Sequence, residues 1–121
     1  MKRDNDLIRD ILLKVEDASQ PLTLDTLEIE DFESGPVAYH VQLLDEAGYI
    51  HAIFNWGDDI IQQAIIERLT WQGHEFLDSV RDDTTWSHTK STIASTVGSA
   101  SFEVVKALAT SFTLRALGLA G

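Results

Sequence analysis

The amino-acid sequence predicts an α+β fold with the order helix, strand, helix, β-hairpin, helix, followed by an extra C-terminal helix. Three observations carry this prediction. Apolar residues recur at helical spacing in the first 17 residues, β-forming residues cluster at positions 49–56, and helical spacing returns beyond Phe102. With 121 residues, 44% of them hydrophobic and 24% charged, the chain has the size and composition of one globular domain.

The first predicted helix is amphipathic and ends before Pro21, because proline cannot continue a helix. Its inward face is predicted to hold five apolar residues: Leu7, Ile8, Ile11, Leu12 and Val15. From Leu22 to Ile29 apolar and polar residues alternate imperfectly, which predicts a short strand with a kink.

The second predicted helix has Ser34 as its N-cap, Pro36 in its first turn and Gly48 at its end. Its inward face is predicted to hold Val37, Val41 and Leu44, with Ala47 as a further candidate.

A β-hairpin is predicted to follow, with a turn at Gly57-Asp58-Asp59. Two glutamines within residues 60–66 leave a helical turn as an alternative to its second strand. Thr70 is then predicted to cap another helix. The inner side of that helix holds Phe76, Leu77 and Val80, and Trp71 is assigned to the core.

These elements divide the chain into a domain at 1–86, a joint rich in Ser, Thr, Gly and Ala at 87–101, and a C-terminal amphipathic helix at 102–121. The joint is either a linker or a weakly encoded helix. The apolar stripe of the last helix needs a partner, which is the domain itself or another copy of the chain. The residues predicted to mediate self-association are Val105, Leu108, Phe112, Ala116 and Leu119.

Composition excludes several classes of site. Without cysteine, no disulfide or thiolate site is available. The charged N-terminus lacks the apolar core of a secretory signal. The most apolar stretch is broken by Glu103, Lys106 and Arg115, so we expect no membrane span. The absence of cysteine fits a reducing cytoplasm, which is the location we expect.

Charge is distributed unevenly along this chain of formal net charge −11. Lys14 and Arg68 have no basic residue between them, so the middle of the chain is purely acidic. This is either a solvated face or a surface that repels nucleic acid and attracts a basic protein partner. The candidate residues for that partner are Glu28, Glu30, Asp31, Glu33, Asp45, Glu46, Asp58 and Asp59.

Catalytic and metal-binding patterns are weak. His74 and Asp78 are one helical turn apart, but a metal site needs a convergent third ligand. Asp82 and Asp83 are assigned to a helix end, where the helix dipole disfavours carboxylates. The sequence carries neither a glycine-rich phosphate loop nor a nucleophile elbow. We therefore expect no catalytic residues, no cofactor, no metal and no enzymatic activity.

Two stretches resemble winged-helix regulators: LLDEAGYI at 43–50, and LTWQGHEFL at 69–77. Three longer runs are similar to the DUF2513 family of small phage and prophage proteins: MKRDNDLIRDILLKVE at 1–16, VAYHVQLLDEAGYI at 37–50 and LTWQGHEFLDSVRDDTTW at 69–86. The resemblance implies a phage or prophage origin, a bacterial cytoplasm and a winged-helix-like core. It implies no activity.

In a winged-helix DNA reader, the helix at 36–47 would enter the major groove. Neither this helix nor the hairpin at 49–67 contains Lys or Arg, the side chains that neutralise phosphates. The remaining DNA-contact candidates are Lys2, Arg3, Arg9, Lys14, His40 and Gln42. We therefore predict a protein-interaction module of a phage or prophage, possessing an acidic surface. The alternative is a dimeric DNA-binding regulator.

Overall fold

The structure, a computed structural model, describes residues 1–119. Its elements in chain order are α1 (Asn5–Asp17), β1 (Leu22–Thr23), α2 (Leu24–Leu27), α3 (Ser34–Glu46), β2 (Ile50–Gly57), β3 (Ile60–Leu69), α4 (Trp71–Val80), α5 (Asp83–Thr96) and α6 (Phe102–Ala116). The predicted α+β class is confirmed, with six helices and a three-stranded antiparallel sheet within these residues. The chain forms two compact units, Met1–His74 and Glu75–Gly121. The last two residues of the predicted segment 102–121 lie outside the described residues.

Helix α1 begins at the N-cap Asp4, whose carboxylate accepts the backbone N–H of Leu7 at 3.1 Å. All five apolar residues predicted for its inward face are buried. They pack towards α3 and β3, and form the core of the first unit with the sheet.

The predicted strand from Leu22 to Ile29 is wrong beyond Thr23. Thr23 and Thr26 form a capping box, in which each side chain bonds the other residue's backbone N–H. This box starts α2 directly after β1, so an additional short helix precedes α3. Helix α2 ends at Glu28, which adopts the left-handed conformation with φ 48°.

Helix α3 buries Val37, Val41 and Leu44, as predicted. Ala47, the further inward candidate, is exposed at the C-cap of the helix. Ser34 is not its N-cap: the helix begins at Ser34, and Glu33 occupies the cap position without a side-chain bond. Gly48 follows the helix with φ +79°, a conformation that glycine adopts without strain, which confirms the predicted helix end.

The sheet has the order β1-β3-β2, with antiparallel pairing throughout. Residues 60–66, for which strand and helix were both open, belong to strand β3. Ile66 pairs with Leu22 on one side and with Ala52 on the other. At the tip of the β2–β3 hairpin, Asp58 and Asp59 both have positive φ, as a two-residue turn of type I′ requires.

Helix α4 is capped by Thr70, as predicted. The Thr70 hydroxyl accepts the N–H of Gly73 at 3.0 Å and donates to the carbonyl of Gly48 at 2.6 Å. The core assignment of Trp71 is wrong, since its side chain is 78% exposed. The buried positions of α4 follow the helical repeat through Gly73, Phe76, Leu77 and Val80, and Trp71 lies off that face.

In the second unit, α5 and α6 pack together and bury Trp86, Thr89, Val105 and Ala109. The ring of Phe76 stacks on that of Phe102 with centroids 4.0 Å apart, an arrangement worth about 0.5–1.5 kcal/mol beyond burial. Residues 87–96 are helical and belong to α5. Among residues 1–119, none of the helices combines the length and the apolar character that crossing a membrane requires.

Asp82 and Asp83 were predicted at the negative, C-terminal end of a helix, and this prediction is wrong because they lie at the N-terminal end of α5. Asp82 is the N-cap of α5, and its carboxylate accepts the N–H of Thr85 at 2.8 Å. Both carboxylates therefore lie at the positive end of a helix dipole, which stabilises them.

Candidate functional site

The two units differ strongly in charge. Met1–His74 contains five Lys or Arg and fifteen Asp or Glu, a formal net charge of −10, whereas residues 75–121 contain four and five, a net charge of −1. The acidic character of the protein is thus a property of the first unit, and a site that uses it must lie there.

Four predicted interaction residues lie together in the segment between α2 and α3. Glu28, Glu30, Asp31 and Glu33 are all exposed within six consecutive positions. Glu28 and Asp31 have positive φ, 48° and 67°, so the backbone of this short segment turns at both residues. The structure thus brings half of the predicted acidic residues into one cluster.

The other four acidic candidates lie elsewhere. Asp45 is half-buried, and its carboxylate accepts the backbone N–H of Ala52 at 3.1 Å, so it ties α3 to β2. Glu46 accepts from the amide of Gln42 at 3.3 Å. Asp58 and Asp59 are exposed at the hairpin tip. Asp45 therefore has a structural function. The two carboxylates of the hairpin tip are not part of the acidic cluster between α2 and α3.

A depression, here called the α2–β3 groove, lies beside the acidic cluster and encloses about 510 Å³. Its lining comes from α2, the following segment, the start of α3 and strand β3. The apolar side chains of the lining are Leu24, Ile29, Phe32, Val37, Ala38 and Ile61. Of these Val37 is buried and the others are half-buried, so the groove presents accessible apolar surface.

Two carboxylates, those of Asp25 and Glu28, also line the α2–β3 groove. Asp25 is held by Gln63, whose Nε2 donates to its Oδ2 at 3.2 Å. The Oε1 of the same glutamine accepts the N–H of Leu24 at 2.9 Å, which joins α2 to β3. Sequence reasoning missed Asp25 and Gln63. The signal was a pair of glutamines between apolar residues of the strand.

A second, smaller depression of about 270 Å³ lies between the end of α1 and β3. Glu16, Arg68 and His74 line it, and His74 Nδ1 is 3.8 Å from Glu16 Oε2. Asp78, the partner of His74 in the metal hypothesis, pairs with Arg81 at 2.8 Å. In residues 1–119, no three His, Cys, Asp or Glu side chains converge in a metal-binding arrangement.

The predicted DNA-contact residues do not form one surface. The assignment of His40 to a DNA-contacting surface is wrong, because its side chain is only 1% exposed. Its Nδ1 bonds the carbonyl of Pro36 at 2.8 Å, and its Nε2 accepts the N–H of Asp4 at 2.8 Å. His40 lies on the same face of α3 as Val37, Val41 and Leu44, and it is buried with them.

The basic candidates of the N-terminal region are spread out. Lys2 and Arg3 precede α1 and are exposed, and Arg9 is half-buried within it. Lys14 is exposed in the last turn, roughly 14 Å beyond the start of the helix at 1.5 Å per residue. Asp6 and Asp10 lie between them in the sequence, so the charge of this region is mixed.

The predicted self-association stripe of α6 is divided by the fold. Val105 is buried, Leu108 and Phe112 are half-buried, and the ring of Phe112 meets that of His88 edge-on at 5.7 Å. Ala116 and Leu119 are exposed. The buried part of the stripe thus packs within the same chain.

Comparison with known proteins gives a consistent result. A family model described as Hypothetical protein (DUF2513) matches residues 2–100. An uncharacterized protein of Haemophilus influenzae strain Rd is 43% identical over 111 residues, which cover 90% of this chain and 92% of that protein. No solved structure matches the chain.

Proposed function

Since this chain belongs to the DUF2513 family, as the sequence predicted, we propose a function from its surface: a non-enzymatic protein-interaction module that binds a basic protein partner through its acidic first unit. The proposal extends to a phage or prophage accessory protein that acts on a host component in the bacterial cytoplasm. The observation that carries it is the acidic cluster Glu28–Glu33 beside an apolar groove.

Two properties support a protein partner. The groove offers apolar surface, and a polar rim around an apolar centre is the usual anatomy of a protein interface. The net charge of −10 on the first unit favours a basic partner by long-range attraction, which raises association rates. A nucleic-acid partner would be repelled by the same field.

The test compares two variants with the same change in charge. Glu30→Gln/Glu33→Gln neutralises two carboxylates of the cluster, and Glu75→Gln/Glu103→Gln neutralises two exposed carboxylates of the second unit. Each tagged protein is expressed in a bacterial host, cross-linked in the cell and purified, and its partners are quantified by mass spectrometry.

We expect one saturable protein partner with wild type and with the second-unit variant, and at least about fivefold less of it with the cluster variant, as for loss of interface hot spots. Equal capture by both variants would contradict the proposal. So would the absence of any saturable partner.

A second candidate, the DNA-binding regulator, is supported by the topology. The order α1-β1-α2-α3-β2-β3 with the sheet order β1-β3-β2 supports the winged-helix scaffold that the sequence resemblance implies. The helix in the recognition position, α3, carries no Lys or Arg and ends in Asp45 and Glu46. We therefore keep the winged-helix scaffold in the proposal and place DNA binding second. Fluorescence anisotropy with mixed-sequence duplex DNA at low salt decides: micromolar binding that weakens steeply with salt would reverse this order.

Self-association is also part of the proposal, through a face of α6 other than the predicted one. Val104 is 51% exposed and Leu114 is 37% exposed, and Ala107 and Ser111 lie between them at spacings of three and four residues. This spacing is the seam of paired helices. The second unit has a net charge of only −1, so a second copy meets little repulsion there.

A further inference from the structure

We propose that the α2–β3 groove binds a segment of the partner that carries Lys or Arg residues around one apolar anchor side chain. This inference rests on the proposed function, and it identifies the site and the chemistry of the ligand. It is drawn from the apolar floor of the groove, its acidic rim and the hydrogen bonds that hold the rim.

The floor of the groove selects an apolar group. Ile29, Phe32 and Ile61 are half-buried, so each retains apolar surface that a ligand can cover. The volume of about 510 Å³ falls within the range of ligand pockets, about 300–1,000 Å³. A single large side chain, such as an aromatic or leucine residue, fits such a space and excludes water from its centre.

The rim of the groove selects positive charge. Asp25 and Glu28 line it, the rest of the acidic cluster follows directly in the chain, and no Lys or Arg is among the lining residues. The neutral polar side chains of the lining are Ser34, Gln62 and Gln63. A Lys or Arg that flanks the apolar anchor therefore meets a carboxylate at the rim, where it forms a charge-assisted hydrogen bond.

The rim is held in position before any ligand arrives. Gln63 fixes Asp25, and the capping box of Thr23 and Thr26 fixes the start of α2. Glu28 lies in the left-handed conformation at the end of α2. A preorganised rim loses less conformational entropy on binding, which favours recognition of a short segment.

Other occupants fit the groove poorly. A second copy would bring its own first unit of charge −10 against the same surface. A nucleic acid is repelled by the same carboxylates. The charge of the rim therefore selects a basic polypeptide.

The test uses a fluorescein-labelled twelve-residue peptide of lysines with one central tryptophan as its probe. Binding to the full chain is measured by anisotropy, and the site is mapped by the backbone amide shifts of the ¹⁵N-labelled protein. Two control peptides replace the tryptophan by serine or all lysines by glutamate.

Four variants test the location. Ile61→Ser removes part of the floor, and Ile53→Ser removes an isoleucine of the same hairpin that is 57% exposed and lies outside the groove. Glu28→Gln removes one carboxylate from the rim, and Asp58→Asn removes one carboxylate from the hairpin tip. Urea unfolding checks each variant, and Glu28→Gln, a fully surface change, keeps the test valid if Ile61→Ser does not fold.

We expect amide shifts confined to the groove, and at least about fivefold weaker binding for Ile61→Ser and Glu28→Gln, with less than about twofold change for the two controls. The serine peptide should bind weakly and the glutamate peptide not at all. Equal effects of groove and control variants, shifts spread over the acidic unit, or no binding at millimolar peptide would each overturn the groove. Those results would leave the proposed function to its own test, the capture of a partner by the Glu30/Glu33 variant.

Discussion

The backbone N–H of Asp4 donates a 2.8 Å hydrogen bond to Nε2 of His40, which lies 36 residues later in the chain. The same Asp4 caps α1, and Nδ1 of His40 bonds the carbonyl of Pro36. A neutral histidine with its proton on Nδ1 satisfies both bonds. The side chain therefore joins the start of α1 to the first turns of α3, and the residue expected to contact DNA has a structural function.

We predict that His40→Ala destabilises the protein by about 2–4 kcal/mol, because it leaves the backbone N–H of Asp4 without its partner and opens a cavity. Gln42→Ala, on the same helix, removes only a 3.3 Å bond to Glu46 and should cost less than about 0.5 kcal/mol. Urea unfolding followed by circular dichroism measures both. Similar values for the two variants would contradict the structural function of His40.

Two glycines give a matched pair for packing. A Cβ at Gly73 would collide with the carbonyl oxygen of Tyr49, whereas a Cβ at Gly35 would have no neighbour within 4 Å. Both lie in helices, where alanine is otherwise favoured by about 0.5–1 kcal/mol. Gly73→Ala should lower the thermal midpoint and Gly35→Ala should raise it slightly. A neutral or stabilising Gly73→Ala would mean that α4 does not approach Tyr49 this closely.

The helix caps of the second unit should differ in strength. Asp82 accepts the N–H of Thr85 at 2.8 Å, while Ser101 accepts the N–H of Val104 at 3.4 Å, beyond the usual range. We expect Asp82→Ala to cost about 1–2 kcal/mol and Ser101→Ala less than about 0.5 kcal/mol. Chemical unfolding of the two variants gives these values, and the reverse order would contradict the assigned cap geometry.

The proposed self-association through the outer face of α6 predicts opposite results for two substitutions. Leu114→Glu places a charge in the exposed stripe and should convert the dimer to monomer, whereas Ala116→Glu lies outside that stripe and should leave it dimeric. Size-exclusion chromatography with light scattering at about 100 μM protein reports the mass, a concentration suited to micromolar affinity. If only Ala116→Glu dissociated the dimer, the interface would be the face of α6 that the sequence predicted, which contains Ala116. A monomeric wild type would overturn the proposal.

Local signals predicted most of the elements. The burial of α1, the end of α3 at Gly48 and the cap at Thr70 each depend on residues within one or two turns, and all three predictions are confirmed. The strand from Leu22 to Ile29 failed because the capping box of Thr23 and Thr26 competes with the sheet for the same backbone groups. A strand and a short capped helix both fit the spacing of apolar residues from Leu22 to Ile29, so this spacing could not distinguish them.

The candidate site was predictable in charge but not in shape. The acidic run was visible in the sequence, since charge depends on composition alone. The groove requires Ile61, Gln62 and Gln63 of β3 to lie beside α2, and the hydrogen bond between Leu24 and Gln63 joins residues 39 positions apart. No local pattern encodes that contact.

The sequence by itself determined the α+β class, the family, the acidic middle and the amphipathic faces of its helices, because these depend on residue type and short-range spacing. The tertiary structure alone decided which polar side chains are buried and which apolar ones remain exposed. His40 turned inwards to bond Asp4, Trp71 turned outwards, and Val105 was covered within its own unit. The physical reason is the same in each case. Burial depends on contacts between segments that are distant in the chain, and the spacing of residues on a helix does not reveal which segment covers each face.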